Sequence, residues 1–325
     1  MIKRVIKTLL GEKNTDRIRR LKISFEAAKT TWHNLGTKKS QEDQLNVSQL
    51  ISVHMLEKAM ATGNTKYLSA VKYDRLIGNM SELMRAGFSP DSFTIASSAA
   101  IIRSALATIS GHENDKSQLE SLISQHNIPM NLRGGIEVIP SSEILSHTNF
   151  DFHGFVSSRH SVRKFKDKII PREVIYDIVR DALYCPSACN RQPFKVYFSE
   201  DRKKIAEIIR LGADGFFAAN VHDCIIITSD RALQNTAEID DQEYVNGGIF
   251  LGYLSMSVHA HGLGSCLFQC LRSGVTKQER IRQTFRISES EVIVCCMGIG
   301  EYEDDVICAC SQRRDAKDVA ICLDD

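Results

Sequence analysis

The chain has 325 residues, 43% of them hydrophobic and 25% charged, the proportions of a soluble globular protein long enough for about two domains. They exclude a disordered chain, a collagen-like repeat and a small disulfide scaffold. The formal charge of +1 conceals an asymmetry: residues 1–40 hold eleven Lys or Arg against Glu12, Asp16 and Glu26, a balance of +8 that the other 285 residues offset with −7.

At the start of the chain, Ile2, Val5, Ile6, Leu9 and Leu10 fall on one helical face, with Lys3, Arg4 and Lys7 opposite. A helix packed on the domain has this layout, and so does an interfacial helix on anionic lipid. Packing is the preferred reading, with peripheral membrane contact through residues 1–40 as the second. Nucleic acid is not expected, because the region lacks a binding motif and interleaved aromatics. MIKRVIK is followed by a short apolar piece and then GEKN, not by the longer apolar core of a secretory signal. No apolar run reaches the ~18 residues that suggest a membrane span. A cytoplasmic protein is therefore expected, with any membrane association at the inner surface.

Residues 1 to about 130 read as successive helices. Trp32 is taken as a core or helix contact. Leu76, Ile77, Met80, Leu83 and Met84 form an amphipathic stripe, Ser89-Pro90-Asp91 stops and restarts the chain before a helix at 93–109, and Asn114 or Asp115 caps one carrying Leu119, Leu122 and Ile123. Residues 131–148, with Gly134-Gly135 and Pro140-Ser141-Ser142, break the pattern and form the expected linker. Beyond it, helix and strand alternate. Pro171 opens a helix with Val174, Ile175, Ile178, Val179, Ala182 and Leu183 on one side. Strands are expected at 194–199, 224–229 and 292–297, and helices at 202–210, 244–261 and 276–285. The domains are thus 1–148, helical and of unknown role, and 152–325, a layered α/β unit around a mixed sheet, giving an α+β chain overall.

All ten cysteines lie in the second half, including adjacent Cys295 and Cys296. Their spacings lack the paired CxxC sets of a zinc site, so reduced thiols and no metal are expected. His259 and His261, two apart, share no helix face and are not read as ligands.

Two segments carry candidate chemistry. In Arg159-His160-Ser161-Val162-Arg163-Lys164-Phe165 a hydroxyl lies between two guanidinium groups, a set suited to the oxygens of a phosphate monoester, although basic residues more often form a solvated face. Farther on, Pro186-Ser187-Ala188-Cys189-Asn190-Arg191-Gln192-Pro193 joins a helix end to a strand. Its amides and hydroxyl suit the edge of a heterocycle bearing N–H and C=O groups, or simply satisfy a turn.

Together these segments resemble the nitroreductase-like family of FMN-dependent oxidoreductases, through R-x-S-x-R-x-F (Arg159, Ser161, Arg163, Phe165) and P-S-x-x-N-x-Q-P (Pro186, Ser187, Asn190, Gln192, Pro193). His261-Gly262-Leu263-Gly264-Ser265-Cys266 looks like the family's A-x-G-L-G-S-C segment, and Arg313-Arg314-Asp315-Ala316-Lys317-Asp318-Val319 is similar to its R-R-P-L-E-E-V tail. The four blocks stand in family order over residues 152–325.

The resemblance implies that Arg159, Ser161 and Arg163 hold the FMN phosphate, that His160 presents backbone beside the ribityl chain, and that Arg313 adds a cation. It implies a homodimer in which Pro186, Ser187, Asn190 and Gln192 reach the flavin from the partner subunit, with Gly264 and Ser265 near the ring. The implied activity is ping-pong transfer of hydride from NAD(P)H through flavin N5 to a small nitroaromatic or quinone acceptor, with no catalytic side chain of the protein's own. The alternative is a flavin-binding scaffold or sensor associated with bacterial polysaccharide synthesis, a setting suggested by the short His54-Met55-Leu56-Glu57-Lys58 element. Phe194 replaces a frequent tryptophan, Asp315-Ala316 replace Pro-Leu, and Asn220 stands where a proline is common. The last falls within 211–223, a region that shapes the substrate pocket in the family. Gly247-Gly248 suits close packing at a dimer seam or is a tolerated pair.

Overall fold

The computed structural model describes residues 40–132, 134–213, 218–234, 241–268 and 275–323, together with Arg17 and Leu21. The basic amphipathic segment, Trp32 and Cys270 lie outside the described residues.

The first domain is built from α1 (Gln41–Ala61), α2 (Thr65–Ala70), α3 (Tyr73–Arg85), α4 (Phe93–Ala107) and α5 (Glu113–His126). Short polar side chains start two of them: Ser40 Oγ accepts from Asp43 N–H and Asn64 Oδ1 from Tyr67 N–H, each at 3.1 Å. Asn127, in the left-handed region at φ 51°, ends α5. The stripe of α3 is buried as expected through Leu76, Ile77, Met80 and Leu83. It meets Leu56 of α1, Ile95 and Ile102 of α4 and Leu119 of α5 in one core. His54 faces Glu57, Nδ1 to Oε2 at 3.1 Å, while Leu56 of the same element is fully buried; a core helix accounts for that motif.

The linker is partly structured. A Cβ on Gly134 would stand 2.5 Å from backbone atoms of Ala100 and Ile101, so this stretch is seated directly on α4. Two short helices follow, α6 (Ser141–Ser146) and α7 (Phe152–Ser158), the first inside the segment read as irregular.

The second domain places a four-stranded sheet between helical layers. Its elements are α8 (Arg172–Ala182), β1 (Phe194–Tyr197), α9 (Arg202–Gly212), β2 (Asp223–Asp230), α10 (Gln242–Ala260), β3 (Gly264–Phe268), α11 (Val275–Phe285) and β4 (Glu291–Gly300), with strand order β1-β2-β4-β3. The sheet alternates its side chains between two cores. Cys224 and Ile226 of β2 pack with Ile208 and Leu211 of α9 and Ile281 of α11. Ile225 and Ile227 turn the other way, to Ile175 and Ile178 of α8 and Phe250 and Leu254 of α10. With both faces covered, β2 and β4 are almost wholly buried, which explains their unbroken apolar sequence.

The α+β class is as expected, but the sheet is less mixed than the alternation of elements suggested. All its strand pairs are antiparallel, and among the described residues parallel pairing is confined to the isolated bridges Ser161–Ser265 and Lys164–Asn220. After α9 the chain returns to the end of the sheet where β1 stopped, so β2 pairs with β1 in the antiparallel sense. The segment Gly264–Phe268, read from sequence only as a motif, is the edge strand β3. Pro171 precedes the first turn of α8 as its cap instead of lying within it.

Candidate functional site

The segment 159–165 runs along the outer side of β3. Val162 N–H donates to Ser265 O at 3.0 Å, and Phe165 N–H donates to Asn220 O at 3.3 Å. Val162 is buried inward, while Arg159, Ser161 and Arg163 share the opposite side, as alternation along an extended chain requires. Phe165 anchors the segment. Its ring lies over the end of the sheet where Gly264 and Gly300 pair, and a Cβ on Gly300 would come within 2.7 Å of Phe165 Cβ. A Cβ on Gly264 would meet Tyr302 Cε1 at 2.9 Å and Phe165 Cε1 at 3.0 Å. These glycines are therefore space makers for the anchor.

Arg159, Ser161 and Arg163 line a cleft of about 270 Å³ whose other walls are Ser265, Cys266 and Leu267 of β3 and Ser255 of α10. The fold thus joins residues from two motifs about a hundred positions apart. Two guanidinium groups and three hydroxyls offer many donors in one place, and no acidic residue lines the cleft; this is the chemistry of an anion site. Neighbouring lysines are engaged elsewhere: Lys164, Lys166 and Lys168 pair with Glu303, Asp304 and Glu301 at 3.5, 3.0 and 2.8 Å. His160 is turned from the cleft lining, its Nδ1 2.8 Å from Ser158 O. Ser255, invisible as a site residue in sequence, is brought in by the helical turn of α10.

The loop 186–193 is elsewhere. Cys189, Asn190 and Gln192 take left-handed backbone conformations, with φ of 50°, 49° and 48°. Ser187 Oγ accepts from Gln192 N–H at 3.1 Å, and Gln192 Nε2 donates to Asn190 Oδ1 at 3.2 Å. Ala188 N–H donates to Asn246 Oδ1 at 3.1 Å. Asn246 precedes Ser255 by nine residues on α10, about 14 Å at 1.5 Å per residue, and none of the loop lines the cleft within one chain. Helix α1 packs against the turns at 188–190 and 231–233, so the helical domain rests on the back of this loop.

Arg313 lies in an exposed tail, its guanidinium hydrogen-bonded to Ser311 O, and does not line the cleft. Gly247 and Gly248 have separate roles. A Cβ on Gly247 would strike Val294 Cγ2 at 2.5 Å, whereas Gly248 and Gly252 face open space. On the outward side of α10 they lie among Val245, Ile249 and Tyr253, which are 44%, 36% and 47% exposed. His261 Nε2 is 2.9 Å from Asp181 Oδ2. Among the described residues nine cysteines form no disulfide, and five of them are buried. Among the described residues no cluster of three or more His, Cys, Asp or Glu is placed to hold a metal, and no helix is long and apolar enough to cross a membrane.

The fold and cleft define an α+β protein whose second domain presents a cleft rich in cationic and hydroxyl donors beside β3. Residues 156–223 match the model of the Nitroreductase family, and this stretch contains both R-x-S-x-R-x-F and the 186–193 loop, so the segment carrying the two motifs is nitroreductase-family sequence. A protein of Methanothermobacter thermautotrophicus, provisionally named NADH dehydrogenase/NAD(P)H nitroreductase, is 24% identical over 151 residues, covering 45% of this chain and 74% of its own. Two solved structures are similar in fold: an FMN-dependent nitroreductase of Clostridium difficile R20291 (23% identity, 52% of this chain and 98% of that one, TM-score 0.45) and a nitroreductase-like protein of Streptococcus mutans (18%, 53% and 98%, TM-score 0.45).

Proposed function

We propose that the protein is an FMN-dependent NAD(P)H oxidoreductase that passes hydride to a small organic acceptor of nitroaromatic or quinone type. The cleft carries this reading, because it unites Arg159, Ser161, Arg163 and Ser265 in a donor set that fits a phosphate monoester. Arg159 and Arg163 would hold the phosphate oxygens as charged donors, with Ser161 beside them. Gly264 and Ser265 would offer backbone to the flavin ring. When bound, FMN supplies the redox chemistry itself, so the chain's own task is to position it, set its electrostatics and limit water access. The name of the Methanothermobacter relative supports NAD(P)H as the donor.

The active unit in this reading is a homodimer. The outward face of α10 is apolar, with Gly248 and Gly252 leaving room for close approach, and Ser255 puts the cleft at the rim of that face. A second copy seated there would bring Pro186, Ser187, Asn190 and Gln192 toward the cleft they do not reach in cis. Arg313 would join from the exposed tail by the same route. A cytoplasmic location accords with this chemistry.

Anaerobic stopped-flow of the FMN-loaded protein tests the proposal. NADH or NADPH should bleach the flavin, and a nitroaromatic or quinone should restore its colour. Failure to bind FMN would refute the reading; binding without reduction by either nucleotide would leave only the scaffold role. Arg163→Ala should weaken FMN retention at least tenfold.

A further inference from the structure

His259 has its two ring nitrogens engaged by residues that adjoin opposite walls of the cleft. It lies one helical turn beyond Ser255 on α10. Its Nε2 is 2.9 Å from Ser158 Oγ, at the end of α7 and directly before Arg159. The Phe155 ring lies against the imidazole, with centroids 5.0 Å apart. On the other side Nδ1 is 3.3 Å from the Tyr302 hydroxyl. That hydroxyl donates to Leu263 O at 2.9 Å, just before Gly264 and Ser265, and the Tyr302 ring is among the nearest neighbours of Gly264. Since the single Tyr302 proton is committed to Leu263, the hydroxyl accepts from His259 Nδ1–H, while Nε2 faces Ser158 Oγ, whose own hydroxyl donates to Phe155 O at 3.0 Å. A continuous chain of contacts thus runs from the Arg159 wall through His259 and Tyr302 to the β3 wall.

We propose that His259 is a positioning residue for the anion cleft, tying the segment that carries Arg159 to the segment that carries Ser265. The cleft's width would then depend on a side chain that does not line it. Arg159 and His160, from the adjoining segment, and Tyr302, from the tail, are the titratable groups around it. Burial above all, with the neighbouring Arg159, lowers the imidazole pKa below its ordinary value, against the opposing effect of a backbone hydrogen bond with Phe155.

The inference rests on the FMN reading, and equilibrium binding can separate the two. FMN and riboflavin, which differ by the phosphate, would each be titrated by flavin fluorescence into wild-type protein, His259→Ala, His259→Gln and Tyr302→Phe, with a thermal melt of each variant. Wild type that binds no FMN overturns the FMN reading. If wild type binds FMN, His259→Ala should lose about tenfold in FMN affinity while its riboflavin affinity stays unchanged. His259→Gln, whose amide reaches the Nε2 position, should recover part of the loss, and Tyr302→Phe should reproduce it without altering any residue that lines the cleft. Unchanged FMN affinity, or equal losses for FMN and riboflavin, would overturn the positioning role. Should His259→Ala fail to fold, Tyr302→Phe decides by the same comparison.

Discussion

Asn246 Oδ1 accepts the backbone N–H of Ala188 at 3.1 Å, fastening the 186–193 loop to the first turns of α10. Asn246 is itself almost inaccessible, and it also receives Gln242 Nε2 at 3.2 Å and donates to Gln234 Oε1 at 3.4 Å. The loop needs such a fastening because three of its non-glycine residues hold positive φ, a conformation that costs roughly 1–2 kcal/mol per residue.

Asn246→Ala should therefore destabilise the protein by about 1–3 kcal/mol, the usual cost of leaving a buried polar group without its partner. Urea unfolding measures that loss. Amide exchange should accelerate at residues 187–192 before it does in β2, and uniform acceleration would mean that the bond does not specifically hold the loop.

A second prediction concerns the glycine pair beneath Phe165. Gly300→Ala introduces a Cβ 2.7 Å from Phe165 Cβ and 2.8 Å from its Cγ, both near the stiff root of a fully buried side chain. Relief requires the 159–165 segment to move off β3, so about 1–3 kcal/mol of stability should be lost, as in other overpacked cores. Gly248→Ala, which faces open space, serves as the control in a thermal melt and should change little.

Much of this arrangement was legible in the sequence, for reasons that differ by element. The α3 stripe and the apolar β2 and β4 runs announced themselves because burial imposes periodicity on one and continuity on the others. The Arg159 and Pro186 motifs were readable because donors and backbone-fixing residues crowd short segments. By contrast, β3 is short and starts at a glycine, giving no strand pattern. Ser255 and His259 were missed for a deeper reason: their significance lies in contacts such as His259 to Ser158, 101 positions apart. The sheet direction was obscured because a helix between two strands does not reveal the end at which the chain re-enters.

Asp223 gives a pH prediction. Burial raises its carboxyl pKa to about 6, against the opposing effect of backbone hydrogen bonds from Ile170 and Cys224. Ile170 N–H donates to its Oδ2 at 2.8 Å. The native protein therefore takes up this proton more readily than the unfolded chain, and stability from this group is full at acid pH and declines as pH rises from about 4 to about 6. The total is on the order of 3 kcal/mol at 1.36 kcal/mol per unit. Asp223→Asn keeps an acceptor for Ile170 and removes the charge. Its stability should lack this decline and exceed wild type at pH 7; an unchanged pH profile in denaturant titrations would contradict the assignment.

The last prediction tests the assembly. Ile249 lies on the outward face of α10 between Val245 and Tyr253, while Phe250 and Leu254 fill the core behind it. A charge at position 249 should leave that core intact and oppose burial against a second copy, since an unpaired carboxylate resists removal from water. Wild type should accordingly sediment as a dimer and Ile249→Asp as a folded monomer. If the 186–193 loop serves the partner's cleft, the monomer should also lose flavin contacts made in trans: riboflavin affinity should fall together with FMN affinity, unlike the selective FMN loss expected of Arg163→Ala. A folded monomer that binds both flavins as wild type does would place the whole flavin site within one chain.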